Sequence, residues 1–360
     1  MATYYSSHNA AGAGAGTIGD PYTLQELFDN TASADLGLVM ATGTYTPSVQ
    51  LDLDTNAGSV ATRVEIRGAN SDGTDDGTVA TVSGSSLGAS TDLLAITMDW
   101  LDIANLRFTA ATADNVSLTT DNTRFTDCRF DNATSDGLLQ NSFDHYVQLL
   151  RCEIDNNGGF GYGGSLSSRG NVFIDLCSIH DNGSYGCRLA QDGTIARSLI
   201  YKNTGHGVIL ALDSTSQGIA IRDSTIATNT GAGISVVAGT TIVNALIART
   251  ILYENGEYGI DLNAANIEQF RFLNLAVHNN TSGDIDAGSL PSETVTDDPT
   301  FAVETAGSED YTPSAAALKL GYTPPSGIGG TDYQYIGAIQ PTAAAGSPSG
   351  ARNPLGGPIG

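Results

Sequence analysis

Asn203-Thr204-Gly205-His206-Gly207-Val208 is followed one period later by Asn229-Thr230-Gly231-Ala232-Gly233-Ile234, and after an equal step by Asn255-Gly256-Glu257-Tyr258-Gly259-Ile260. Three positions before each Asn stands a large apolar residue, Ile200, Ile226 or Leu252. These belong to a longer series of landmarks: Phe108, Phe130, Ile154, Ile179, Ile200, Ile226, Leu252 and Val277. Five positions before each landmark the chain again carries a large apolar side chain, from Ile103 and Phe125 to Ile247 and Phe272. Two before it the residue is small or apolar: Leu106, Cys128, Cys152, Cys177, Ser198, Ser224, Thr250 and Leu275.

The spacing of the landmarks lies at the short end of the roughly 20 to 50 residues used by repeat architectures. So short a period holds brief β-rich runs and leaves no room for a helix. One coil cannot bury its inward side chains alone, so successive coils must stack and share a continuous core. The Asn and Gly residues after each landmark are expected at sharp corners, because both tolerate positive φ.

The pattern resembles the right-handed parallel β-helix, the fold shared by pectate-lyase-like enzymes and many phage spikes, and is most similar to β-helix proteins of bacteriophage virions. The ends agree with that resemblance. Tyr22-Thr23-Leu24-Gln25-Glu26-Leu27-Phe28 reads as a short amphipathic helix ahead of the first coils, where it would protect an open sheet edge. Asp298-Pro299-Thr300-Phe301, Asp310-Tyr311-Thr312-Pro313 and Tyr335-Ile336-Gly337-Ala338-Ile339-Gln340 resemble the closing segment of such proteins. The expected fold is therefore all-β: a single-stranded solenoid with an N-terminal capping helix and an extended C-terminal tail. The expected segments are an arm over 1–20, the capping helix and first coils over 21–100, regular coils over 101–290, a closing segment over 291–340 and a tail over 341–360. A superfold implies no activity; function has to be argued from the site.

Composition narrows the function. There are 15 basic and 39 acidic residues, a net charge of −24, which disfavours binding to nucleic-acid phosphates. Hydrophobic content of 40% is enough for a core. No uncharged apolar run reaches the ~18 residues a membrane span needs. Met1–Gly16 lacks the charged and apolar regions of a secretory signal, so synthesis in a host cytoplasm is expected. Three of the four cysteines, Cys128, Cys152 and Cys177, share one inward column on coils about 4.8 Å apart. Three stacked thiols leave one over, so they and Cys187 are read as reduced, buried small hydrophobes.

The first two positions after the landmarks offer chemistry. Asp155, His180, Asp181 and Lys202 should gather on one outer surface, as candidates for glycoside hydrolysis by paired carboxylates or for proton abstraction in a lyase. A ladder of solvated turn residues is the alternative reading of the same positions. Gly205-His206-Gly207 matches a polygalacturonase tripeptide, but the companion aspartate motifs and the downstream Arg-Ile-Lys are missing, and the repeat itself demands both glycines. Asp72, Asp75 and Asp76 could offer carboxylates to Ca²⁺, with a plain polar turn as the alternative; no other cofactor is expected.

Arg107, Arg129, Arg151, Arg197, Arg222 and Arg249 fall in one short segment of the repeat, among Asp127, Glu153, Asp175 and Asp223. They are read as lateral ion pairs that fix stacking register, or as an edge for an anionic glycan or an acidic sister subunit. The Gly/Pro-rich tail, residues 341–360, is read as an anchor to other virion proteins, with Leu355 and Ile359 as its apolar contacts. Together these features point to a structural bacteriophage virion protein: a capsid-decorating, neck or tail-associated homotrimer whose surface is compatible with host glycans. A polysaccharide lyase or glycoside hydrolase, and a bacterial surface adhesin, are the alternatives.

Overall fold

The structure is a computed structural model that describes residues 2–54, 58–59, 61–120, 122–141, 146–164, 171–189, 191–210, 215–238, 241–262, 266–268, 270–286, 294, 296, 298–303 and 310–313. Three long parallel sheets run the length of a solenoid. The first has eleven strands, from Thr3–Ser6 to Arg271–Leu273. The second has ten, from Thr44–Tyr45 to Ala276–His278, and the third has ten, from Leu51–Leu53 to Gly283–Ile285. The strands are short, because each coil turns a corner as soon as one sheet has been crossed.

The landmark column is the inward row of the second sheet. Phe108 pairs with Phe130, Phe130 with Ile154, Ile154 with Ile179, and so on to Leu252 with Val277. The column five positions earlier is the inward row of the first sheet, with Ile195 opposite Ile221 and Ile221 opposite Ile247. Both columns are almost wholly buried and join one continuous core. Phe130 lies nearly parallel to Phe108 at 5.6 Å and meets Phe125 edge-on at 5.3 Å, geometries that aromatic quadrupoles favour.

The corners differ from the sequence expectation. The Asn three positions past each landmark is not the left-handed residue. That conformation falls one position earlier, on Asn156, Asp181, Lys202, Thr228, Glu254 and Asn279, whose φ lies between 49° and 54°. A second left-handed corner precedes the landmark by three positions, at Arg151 (φ 53°), Leu176 (φ 56°) and Arg249 (φ 47°) among others. Non-glycine residues hold this region at a cost of about 1–2 kcal/mol each, offset by the sheet bonds and packing on either side.

The Asn residues serve another purpose. Their side chains form a buried ladder along the axis, with each Nδ2 donating to the next Oδ1: Asn157 to Asn182 at 3.0 Å, Asn182 to Asn203 at 2.9 Å, Asn203 to Asn229 at 2.9 Å, Asn229 to Asn255 at 3.0 Å and Asn255 to Asn280 at 2.9 Å. The glycines make room for it. A β-carbon on Gly207 would run into Ile226 and lie 2.8 Å from Asn229 Nδ2.

All four cysteines are free and buried, and the Cys152 amide points at Cys177 Sγ at 3.4 Å. At the N-terminal end the helix Leu24–Asn30 carries a capping box between Thr23 and Glu26 and buries Leu24, Leu27 and Phe28, covering the first coil as expected. Phe301–Val303 and Asp310–Pro313 form an antiparallel hairpin on the outer face of the second sheet. There Tyr311 packs on Tyr201 at 5.1 Å and Phe301 on Tyr253 at 4.9 Å. Tyr335–Gln340 and the tail residues Leu355 and Ile359 lie outside the described residues.

Candidate functional site

The second sheet turns every other side chain outward. One position after the landmarks it brings Asp131, Asp155, His180 and Tyr201 into register, and one before them Arg107, Arg129, Glu153 and Ser178. Arg129 grips Asp155 with two hydrogen bonds, 3.0 and 2.8 Å, and Arg107 does the same to Asp131 one coil earlier. These carboxylates are shut away from solvent, at 1% and 0% exposure. Their charge is held by guanidinium forks whose geometry matches a carboxylate.

Of Asp155, His180, Asp181 and Lys202, the first three are brought together. Glu153, one of the ion-pairing acids of the repeat, joins Asp155 and His180, with ligand atoms within 4.8 Å of one another. His180 Nδ1 meets Asp181 Oδ2 at 2.8 Å, its Nε2 lies 3.5 Å from Glu153 Oε1, and its ring stacks on Tyr201 at 4.6 Å. Burial works against the imidazolium, but Glu153 and Asp181 outweigh it and raise the pKa of His180. The hydrogen bond to His180, helped by Arg129, lowers that of Glu153. Such a trio has the donor set for a metal ion, yet both Asp155 oxygens already face Arg129. Lys202 stands at the left-handed corner after Tyr201 (φ 54°).

Beside this cluster opens a shallow cleft of about 380 Å³, lined by Val79, Arg107, Asp127, Cys128, Arg129, Arg151 and Glu153. The remaining arginines of the expected edge continue along the same corner as ion pairs. Arg151 pairs with Asp127 at 2.7 Å, Arg249 with Asp223 at 2.6 Å, Arg197 with Asp175, and Arg222 with Asp223 at 3.5 Å.

A second constellation lies at the corner between the second and third sheets, six positions past the landmarks. It runs Asp114, Asp136, Phe160, Tyr185, His206. Asp114 Oδ1 accepts the Asp136 amide at 2.8 Å, and Asp136 Oδ1 accepts the Phe160 amide at 2.7 Å. Phe160 and Tyr185 lie 5.2 Å apart, and Tyr185 stacks on His206 at 5.1 Å. The guanidinium of Arg188 sits 4.5 Å above the Phe160 ring. Burial, with the charge of Asp114, pushes the Asp136 carboxyl up to about 6, and burial lowers the pKa of His206. The signal for this column was present in the sequence, as the residue just ahead of the turn glycines Gly137, Gly161, Gly186 and Gly207. Only His206 stood out there, because a column that changes from acid to aromatic midway does not read as a repeat.

Residues 114–282 match the family model described as a right handed beta helix region. The chain is a right-handed parallel β-helix. Among solved structures, pectate lyase Pel9A superposes over 94% of this chain and 96% of its own, with a TM-score of 0.68 at 16% identity. A PL6 family alginate lyase, AlyGC, fits over 72% of this chain and 38% of its own, with a TM-score of 0.50 at 12% identity. The tailspike protein gp49 of Acinetobacter baumannii bacteriophage Fri1, a capsular polysaccharide depolymerase, fits more loosely, over 69% and 50%, with a TM-score of 0.48 at 9% identity. At these identities the likeness is one of fold. No curated protein sequence matches.

Within this β-helix the loop acids Asp72, Asp75 and Asp76 turn to local partners. Asp72 Oδ1 accepts from the Thr74 amide at 2.9 Å, Asp76 Oδ1 from the Thr78 amide at 3.0 Å, and Asp75 pairs with Arg67 at 3.0 Å. His206 of the Gly-His-Gly tripeptide accepts the Ala232 amide at 2.9 Å on Nδ1, a bond between coils.

Proposed function

We propose that this β-helix is a structural component of a bacteriophage particle, assembled as a homotrimer, that offers its lateral faces to host-surface glycans without cleaving them. The observation that carries the non-cleaving part is the state of Asp155. Its two oxygens are bound by Arg129, solvent is excluded, and Glu153, His180 and Asp181 are tied to one another around it. A carboxylate that must act as base or nucleophile needs an oxygen free to meet substrate. The role in a particle draws on the fold, the net charge of −24 and the rigid stacking by ion pairs. The test is twofold: mass spectrometry of purified particles for the protein, and light scattering for its oligomeric state. Absence from the particles, or a monomer in solution, overturns the assignment.

One observation favours a second reading, a polysaccharide lyase or hydrolase. Asp136, raised toward neutrality beside Asp114, has the character of a general acid. Incubation with alginate, pectate and host capsule separates the two readings, through unsaturated products and new reducing ends.

A further inference from the structure

We propose that the outer face of the first sheet docks on the outer face of the third sheet of a second copy of this chain, with three copies closing a ring. This deepens the homotrimer reading above and rests on it.

Two chains of net charge −24 repel one another unless the faces they appose differ in sign. On the first sheet basic residues exceed acidic ones. From Leu101 onward its strands and the corner after it hold six arginines against four aspartates. Arg222 and Arg249 share Asp223, and Arg124 reaches an Asp102 that Arg63 already holds. Arg271 is exposed and meets no carboxylate among the described residues.

The third sheet has the opposite balance. Among the described residues its strands carry Asp52, Asp261 and Asp284 against one cation, Arg188, whose guanidinium lies over the Phe160 ring. Asp92 and Glu257 stand just ahead of two of these strands.

The two faces also match in height. A coil runs from a strand of the first sheet through the second to a strand of the third, and coils lie about 4.8 Å apart. Arg63 shares a coil with Asp92, Arg249 with Glu257 and Asp261, and Arg271 with Asp284. Between these ends the outward row of the first sheet runs Gln148, Phe173, Thr194, Ala220. That of the third runs Ser117, Leu139, Gly163. Copies side by side with parallel axes would thus set arginine against carboxylate at both ends, with largely uncharged side chains between.

A contact between unlike faces is heterologous, and such contacts close into rings. The chain passes from the third sheet straight to the first strand of the next coil, so these two faces adjoin. A ring built on them leaves the outer face of the second sheet, with its cleft and hairpin, turned outward to glycans.

The experiment is sedimentation equilibrium of the full chain over a range of concentrations. Wild type should be a trimer. Arg271→Glu and Asp284→Arg should each weaken association at least tenfold. The chain carrying both should recover to within threefold of wild type, because the reversed charges meet again across the contact. Thr81→Glu puts the same negative charge on the second sheet, beside Arg107, and should leave association unchanged. Circular dichroism reports the folding of each variant; Arg271→Gln and Asp284→Asn, each expected to weaken association about threefold, serve where a reversal does not fold. A trimer unaffected by the single changes, or no recovery in the double variant, overturns the pairing of these faces while the homotrimer stands. A wild type other than a trimer overturns the homotrimer and the pairing with it.

Discussion

Asn203 Nδ2 donates to Asn229 Oδ1 at 2.9 Å while the Asn203 amide donates to the same oxygen at 3.1 Å. One buried side-chain oxygen therefore satisfies two donors of the preceding coil. Asn229 places its own Nδ2 protons on Ile200 O at 3.2 Å and Asn255 Oδ1 at 3.0 Å. The ladder works because coil spacing equals the reach of one amide, and it fixes register wherever an Asn follows the landmark by three.

Asn229→Ala should therefore be among the most damaging single substitutions. It removes the acceptor shared by the Asn203 amide and Nδ2 and the donor to Ile200 O and Asn255 Oδ1, leaving the Asn203 amide stranded in a dry interior and a cavity beside it, at a cost of about 3 kcal/mol. Thr230→Ala, the next position along and exposed, should change stability by less than about 0.5 kcal/mol. Urea unfolding of the pair checks this.

The ion pairs should divide sharply by burial. Removing Arg129 leaves Asp155 charged and enclosed, so Arg129→Met should destabilise by about 3–5 kcal/mol. Arg151 and Asp127 have equally good geometry, but their side chains are 48% and 43% exposed. Arg151→Met should cost about 1 kcal/mol or less. Equal losses in the two variants, read by urea unfolding, would show that the enclosure of Asp155 has no energetic consequence.

Asp136 gives a pH-dependent prediction. Its folded pKa is raised to about 6 from 3.8, so the folded chain holds the proton more tightly than the unfolded chain. Stability from this group is full below about pH 4 and is lost as pH rises through about 6. Asp136→Asn should then raise stability by about 1–3 kcal/mol at neutral pH and by little at about pH 4, at the roughly 1.4 kcal/mol per pKa unit that links the two. Thermal unfolding at the two pH values measures the difference.

The thiols should be silent in the folded state. Burial pushes the Cys187 thiol up, and that of Cys128 as well, and all four cysteines are enclosed. A thiol reagent should find none in native protein and four after denaturation.

Much of the fold was legible because a solenoid writes its core as a linear period. The landmarks from Phe108 to Val277, the column from Ile103 to Phe272 and the stacked cysteines all took their expected inward places. The lateral pairing of Arg151 with Asp127 and of Arg249 with Asp223 followed from the same alignment. The corners were harder to read. Left-handed backbone at Arg151, Leu176 and Lys202 has no residue-type signature; the expectation was mistaken in placing it on the Asn three past each landmark and on the turn glycines, although Asn156 and Asn279, one position earlier, do adopt it. The hairpin over Tyr201 and Tyr253 depends on contacts between segments distant in sequence. The close approach of Asp136 to the strand at Gly163 needs neighbouring coils and a missing β-carbon, which no single-coil pattern reveals.

If the acid cluster on the second sheet holds coils together and cuts nothing, the protein should leave polysaccharide intact. Incubation with alginate, pectate and host capsule should then yield neither unsaturated products nor new reducing ends above background. Product formation that disappears in Glu153→Gln, Asp155→Asn or His180→Ala variants that remain folded would refute this reading.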